Sequence, residues 1–270
     1  MKIAYLIVKN RLLADPDVIS FLNELKAAGA DVYSAALGLE QGTALLLSFG
    51  GDGTFLSAAS LACEAGVPVL GVNLGRLGFL SENDIKGLVK PLLAGEFTIE
   101  NRSMIEVEVP GNRPAKFFPY ALNEMSLRRT GTGTLGISVK VDGEQLPTYL
   151  ADGVLVSTSS GSTAYALSVG GPIVRPDVDA LILAPIAPHN LNLRPLILPL
   201  TAEISITCHD RKGAAVAMSL DNRDYVVANG ESVLVRQAPF ALKRVVMGKS
   251  NFIEALQTKL LWGEDVRNTQ

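Results

Sequence analysis

The hydrophobic pattern of this chain changes period once, near Gly95, and that change constrains the architecture more than any other feature. Before it, short apolar runs alternate with segments of helical spacing. Ile3–Val8 is a continuous apolar run. Val18–Ala28 puts Ile19, Leu22 and Leu25 on one helical face and stops at Gly29. Ala44–Phe49 is a second apolar run, Phe55–Ala65 is helical up to Gly66, Val67–Val72 is a third run, and Ile85–Leu93 is helical again. Apolar runs without polar alternation are strands buried on both faces, and helices between them imply parallel pairing. The pattern predicts an α/β domain with a parallel, Rossmann-like sheet over residues 1–96.

Beyond Gly95 the period becomes two. Ile105, Val107 and Val109 alternate with Glu106 and Glu108; Ile137, Val139 and Val141 alternate with Ser138 and Lys140; Ile204, Ile206 and Cys208 alternate with Ser205 and Thr207. Strands with one buried and one solvated face are expected, and Asp142-Gly143 is a hairpin turn signal. A β-rich domain, a β-sandwich, is predicted over residues 97–249. Helical spacing returns at Phe252–Leu261, so residues from about 250 to 270 are expected to rejoin the first domain as a C-terminal helix.

With 270 residues, 48% of them hydrophobic and 19% charged, the chain can bury a sizeable core. A net charge of −3 gives no footprint for nucleic acid or an anionic membrane. No run reaches the roughly 18 apolar residues of a membrane helix. Cys63 and Cys208 read as buried small hydrophobes rather than a disulfide framework. The expected location is the cytoplasm, with no nucleic acid or membrane partner.

The chemistry is concentrated at Leu45–Leu56, where a buried strand runs into Gly50-Gly51-Asp52-Gly53 and then a helix. Glycines let a ligand approach the backbone, and a helix start suits phosphate. The carboxyl end of a parallel strand is where open α/β sheets bind ligands. Asp52 could accept a proton from a hydroxyl nucleophile or hold Mg²⁺; the plainer reading is a helix N-cap. A second glycine loop, Asn73-Leu74-Gly75-Arg76-Leu77-Gly78-Phe79-Leu80, follows the third strand and offers the Phe79 ring. Asn123-Glu124 lies in the strand-like run Tyr120–Leu127, where an amide beside a carboxylate suits a polar ligand better than a core. Asp152-Gly153 leads an apolar strand into a dense hydroxyl and glycine cluster, Ser157–Tyr165.

Gly50-Gly51-Asp52-Gly53-Thr54 resembles the signature shared by NAD kinases and by diacylglycerol or sphingosine kinases. The other segments resemble NAD kinases specifically: Asn73–Leu80, Asn123-Glu124, Asp152–Ile173, Ala184–Pro195 and the ending Lys259-Leu260-Leu261-Trp262-Gly263. The resemblance implies phosphoryl transfer from ATP, or polyphosphate, to the 2′-hydroxyl of the adenosine ribose of NAD. It implies Asp52 as the catalytic base, with Gly51 and Gly53 supplying amides to phosphate. Phe79, Asn123, Glu124, Asp152, Ser160, Thr163, Ala164, Tyr165, Ser168 and Ala187 would hold the dinucleotide. Mg²⁺ or another divalent cation would accompany ATP, its protein ligands unassigned, and the enzyme would be a homo-oligomer, a dimer or tetramer. Three positions depart from the family pattern: Leu150 stands where a basic residue is usual, Ser159-Ser160 replaces Pro-Thr, and Asp221-Asn222-Arg223 replaces Asp-Gly-Gln. The Arg223 fork could suit a phosphate. A lipid kinase of the same signature class and a non-enzymatic NAD sensor are the alternatives. His189 and His209 read as structural and surface residues.

Overall fold

The computed structural model describes residues 1–75, 78–111, 114, 116–248 and 252–263. Two compact units emerge: Met1–Asn101 with Leu242–Gln270, and Arg102–Ala241.

In the first unit, strands β1 (Lys2–Ile7), β2 (Asp31–Ser34), β3 (Leu45–Phe49) and β4 (Val69–Asn73) form a parallel sheet in the order β4-β3-β1-β2. The two-residue β5 (Asn83–Asp84) pairs with β4. All five β3 residues are buried, as a strand covered on both faces requires. Helix α1 (Pro16–Ala27) starts on the Asp15 side chain, which accepts from the Asp17 and Val18 amides, and buries Val18, Phe21 and Leu25. These meet Phe49, Leu70 and Val72 in the core. Strand β2 has no fully buried residue, so its four positions carry little periodic signal.

Two helical expectations shift. Helix α2 (Asp52–Ala62) begins three residues before Phe55, because Gly51 takes the N-cap and the glycine turn feeds straight into the first turn. Only α3 (Val89–Leu93) forms in the predicted Ile85–Leu93 helix, since Gly87 adopts φ 70 and breaks the helical path.

The second unit contains two antiparallel layers. One runs β14 (Leu196–Pro199), β13 (Ala180–Ile186), β12 (Gly153–Thr158), β8 (Glu124–Arg129), β16 (Val216–Leu220), β17 (Arg223–Val227). The other contains β10 (Glu144–Gln145), β9 (Leu135–Val141), β15 (Ile204–Asp210) and the first part of β18 (Ser232–Val246) in that order. Strands β6 (Thr98–Glu108) and β7 (Tyr120–Ala121) pair with each other, and β11 (Tyr149–Ala151) pairs with β9. The alternating residues Ile137, Val139, Ile204 and Ile206 meet Leu127, Val154 and Met218 in one core. Asp142 and Gly143, at φ 50 and 85, supply the positive-φ pair of a tight hairpin. The four-residue α4 (Tyr165–Ser168) follows the hydroxyl cluster, and α5 (Phe252–Leu260) belongs to the first unit. Both cysteines are buried free thiols, and burial pushes the Cys208 thiol up to about 12. No helix among the described residues is long and apolar enough to cross a membrane.

Candidate active site

The glycine turn sits at the carboxyl end of β3. Gly50 adopts φ 143, and a Cβ there would press on the Thr54 side chain of the following turn. Its amide donates to the Val72 carbonyl at 3.0 Å, tying the turn to β4. Gly51 caps α2 without a side chain, while Asp52 and Gly53 form the first turn.

Asp52 does something that the sequence gives no sign of. Its Oδ2 accepts from the Phe79 amide at 3.0 Å, and its Oδ1 accepts from the Leu80 and Ser81 amides at 3.0 and 3.1 Å. One carboxylate thus holds the end of the second glycine loop. Gly78 is required by this contact, since a Cβ would fall inside the radius of Asp52 Oδ1. Arg76 and Leu77 of that loop lie outside the described residues. Phe79 packs against Phe252 of α5, with ring centroids 6.3 Å apart. From the same helix, Lys259 brings its Nζ to 3.6 Å from Asp52 Oδ2 and 4.5 Å from the centre of the Phe79 ring.

In the second unit the strand-like run around Asn123-Glu124 is broken. Strand β7 ends at Ala121 and β8 starts at Glu124. The gap is held by a second carboxylate clasp. Asp221 Oδ2 accepts from the Leu122 amide at 2.9 Å, and Oδ1 accepts from the Asn123 and Glu124 amides at 2.8 and 3.2 Å. The Asp221 amide returns a bond to the Glu124 carbonyl. Desolvation raises the Asp221 carboxyl, opposed by these amides and by the Arg223 charge. Arg223 donates to the Tyr120 carbonyl and lies over the Phe118 ring at 4.9 Å.

The hydroxyl cluster joins the same clasp. Ser157 Oγ donates to the Asn123 carbonyl at 3.0 Å and Thr158 Oγ1 to the Leu122 carbonyl at 2.6 Å. Ser159 donates to the Val178 carbonyl, and Ser162 bonds both the carbonyl and the amide of Val174. Four hydroxyls of the cluster are therefore committed to backbone inside the protein. Gly161 passes so close to the Asn123 carbonyl that no Cβ fits. Ser160 is buried in the short turn Ser160–Thr163, Thr163, Ala164 and Tyr165 are partly exposed after it, and Ser168 is exposed.

Two acceptors in this region, Asn123 Oδ1 and Glu124 Oε2, are buried without a protein partner, as is the Arg128 Nε donor. A buried unsatisfied acceptor is costly unless a ligand or water supplies its donor. Burial, then the neighbouring Asp221 charge, pushes the Glu124 carboxyl up to about 8, against a backbone hydrogen bond from Tyr165. A pocket of about 280 Å³ opens here, lined by Glu124, Arg128, Tyr165, Ser219, Asp221 and Asp224 among others.

Asp152 and Ala187 lie elsewhere. The Asp152 amide bonds the Ile186 carbonyl at the start of β12, whereas Glu124 faces Ser157 near its end. The six residues of β12 separate the two groups, roughly 20 Å of extended chain. Asp152 is clasped by Arg129, Nε to Oδ1 at 2.7 Å and Nη2 to Oδ2 at 3.1 Å, which holds its carboxyl below the ordinary value. Nothing in the sequence singles out Arg129. Ala187 is exposed at φ 46, a left-handed conformation in which a small side chain is the least strained. The His189 amide bonds the Leu150 carbonyl, consistent with a structural turn.

The model of the ATP-NAD kinase N-terminal domain matches residues 8–96, and that of the ATP-NAD kinase C-terminal domain matches residues 122–247. An NAD kinase of Flavobacterium psychrophilum is 37% identical over 87% of this chain and 82% of its own length. An NAD kinase of Porphyromonas gingivalis is 41% identical over 82% and 77%. Among solved structures, a yeast NADH kinase complexed with NADH aligns at TM-score 0.86 and 24% identity, covering 100% of this chain and 90% of that one. An NAD kinase from Archaeoglobus fulgidus in complex with ATP aligns at TM-score 0.79 and 24% identity, covering 97% and 99%. At that identity the two structures establish a shared two-domain fold, a mixed sheet and an antiparallel sheet.

Proposed function

Because this chain belongs to the NAD kinase family of phosphotransferases, we propose that it transfers the γ-phosphoryl group of ATP to the 2′-hydroxyl of the adenosine ribose of NAD, with Asp52 as general base. The observation that carries the assignment is the placement of Asp52. It stands in the first turn of α2 at the carboxyl end of β3, held rigidly by three amides. The amides of Gly51 and Gly53 and the positive end of α2 suit phosphate oxygens. The 2′-oxygen attacks the γ-phosphorus, its bond to phosphorus forms as the bridging bond to ADP breaks, and its proton passes to Asp52. In a loose transition state that proton moves late, so positioning and charge stabilisation carry most of the catalysis.

The second unit supplies the dinucleotide contacts in this reading. Asn123 Oδ1 and Glu124 Oε2 are acceptors in want of donors, which ribose hydroxyls and an adenine amine provide. Tyr165 lines that pocket, and its chain neighbours Ser160, Thr163, Ala164 and Ser168 would add contacts in this reading. Asp152 and Ala187 sit at the far end of β12, so a second copy of the chain could complete the set. That reading makes the enzyme a homo-oligomer, a dimer or tetramer, and we place it in the cytoplasm. Gel filtration of a fully active monomer would overturn it. Arg223 is engaged by Tyr120 and Phe118, which favours a scaffold role over the phosphate contact.

A divalent cation, Mg²⁺ by preference, would arrive with the triphosphate. Among the described residues no group of three or more His, Cys, Asp or Glu could hold a metal ion. Waters and the phosphate oxygens of the nucleotide would complete its coordination, with no protein ligand assigned. The ion would neutralise phosphate charge there.

The assay is direct. Purified protein with ATP, Mg²⁺ and NAD is read out by an NADP-specific dehydrogenase, with polyphosphate as alternative donor and diacylglycerol as alternative acceptor. Phosphorylation of diacylglycerol and not NAD, or NAD binding without NADP formation, would sink the proposal.

A further inference from the structure

The C-terminal helix delivers a cation to the reacting carboxylate, and the reading of Asp52 as base gives that cation no task. Lys259 is the penultimate residue of α5, and its side chain is largely buried. Its Nζ lies 3.6 Å from Asp52 Oδ2, beyond a direct hydrogen bond, and over the face of Phe79. The two carboxylate oxygens are not equivalent. Oδ1 is saturated by two amides, whereas Oδ2 accepts from the Phe79 amide alone and keeps its remaining capacity toward the lysine. Oδ2 is therefore the oxygen able to take a proton, and Lys259 covers it.

A weak ion pair of this kind is readily exchanged. The lysine head is a point charge on a flexible four-carbon stem, and a phosphoryl group carries more negative charge than one carboxylate. Phosphoryl transfer is limited chiefly by charge at the transferring group. The Phe79 ring, backed by Phe252, gives the ammonium a second favourable contact beside Asp52.

We propose that Lys259 is a catalytic residue that exchanges partners, pairing with Asp52 Oδ2 in the ligand-free enzyme and turning to the γ-phosphoryl group when ATP binds. The proposal rests on the Asp52 reading. The move uncovers Oδ2 at the moment the acceptor hydroxyl needs a base and places a positive charge on the phosphoryl oxygens. Lys259 keeps its proton throughout. The oxygen–phosphorus bond to the acceptor forms, the bond to ADP breaks with its electron pair leaving on ADP, and the hydroxyl proton ends on Asp52.

The test compares the full-length protein with Lys259→Met and Lys259→Arg by initial rates in ATP and NAD. Trp262, the only tryptophan of the chain, lies two residues past α5 and reports by its fluorescence whether the helix still docks. The expected result for Lys259→Met is a kcat lower by about 10²–10³-fold. KM for NAD should change by less than about threefold, with unaltered Trp262 emission and thermal midpoint. Lys259→Arg should recover at least a tenth of the lost rate, about a 10–100-fold gain over Lys259→Met. Retention of wild-type kcat in Lys259→Met overturns the proposal. So does a loss of rate that tracks altered Trp262 emission and is not recovered by arginine, which would mark a merely structural contact. A wild-type protein inactive on NAD would instead defeat the functional reading itself, and this inference with it.

Discussion

Asp52 in the first unit and Asp221 in the second use the same device: one carboxylate accepts from three consecutive backbone amides of a distant segment, 79–81 or 122–124. The surroundings differ. Asp52 stands in the first turn of a helix, with a third of its side-chain surface exposed and the Lys259 ammonium 3.6 Å from Oδ2. Asp221 sits in a tight turn at φ 50 on the pocket wall, its carboxylate largely desolvated and its charge opposed by Arg223 within the same turn. The amide triad is thus a positioning device in both places. What separates a reacting group from a scaffold is whether one oxygen keeps a lone pair that a substrate can reach.

Replacing each carboxylate should therefore fail differently. Asp52→Asn keeps an acceptor for the Leu80 and Ser81 amides but removes the base. It should lower kcat by about 10²–10⁴-fold while calorimetry still shows NAD binding. A mutant with near-normal turnover would end the distinction between the two clasps. Asp221→Ala strands three amides and should cost about 2–4 kcal/mol of stability in denaturant titration. It should also raise KM for NAD more than it lowers kcat, because Asn123 and Glu124 lose their anchor. An Asp221→Ala protein with unchanged KM would show that the clasp is not what holds the binding residues. Gly78→Ala probes the first clasp from its other side. Its Cβ would collide with Asp52 Oδ1, so about 1–3 kcal/mol of strain is expected. The kcat of that variant should fall while NAD affinity holds.

The same contrast explains what could be read in advance. Buried strands such as Leu45–Phe49 and alternating ones such as Leu135–Val141 were legible because burial on two faces or one imposes the pattern directly. The glycine turn was legible because Gly50 needs a positive φ. The clasps were not, since each joins residues about 30 or 100 positions apart through backbone amides, which carry no side-chain signal. Within the hydroxyl cluster the oxygens of Ser157, Thr158, Ser159 and Ser162 bond backbone, while the orphaned acceptors are on Asn123 and Glu124. Composition shows how many hydroxyls a segment holds, not which way they point. Arg129 carries no signal in the sequence and Lys259 shows only as part of the terminal motif, because lone basic residues on strands and helices are ordinarily solvated and only the fold brings them to Asp152 and Asp52.

The smallest expected effect is a pH dependence that belongs to the second clasp alone. Glu124 has a carboxyl raised from 4.5 to about 8, by burial first and by Asp221 second. A carboxyl raised on folding makes the native state hold a proton that the unfolded chain has released. Its contribution is complete below about 4.5 and is lost as pH rises through about 8. The Asp221 carboxyl is raised too and acts in the same sense. Asp152 and Asp177 are lowered from 3.8, so their opposite contributions change below that pH and leave the window clear. The thermal midpoint of the ligand-free protein should therefore fall by a few degrees between about pH 5 and about pH 8. Glu124→Gln, which cannot ionise, should flatten much of that slope. Ionised Glu124 is the better acceptor for ribose hydroxyls, so KM for NAD should fall over the range in which stability declines. Parallel midpoint curves for wild type and Glu124→Gln would show that the orphaned Glu124 oxygen is not where the site stores this cost.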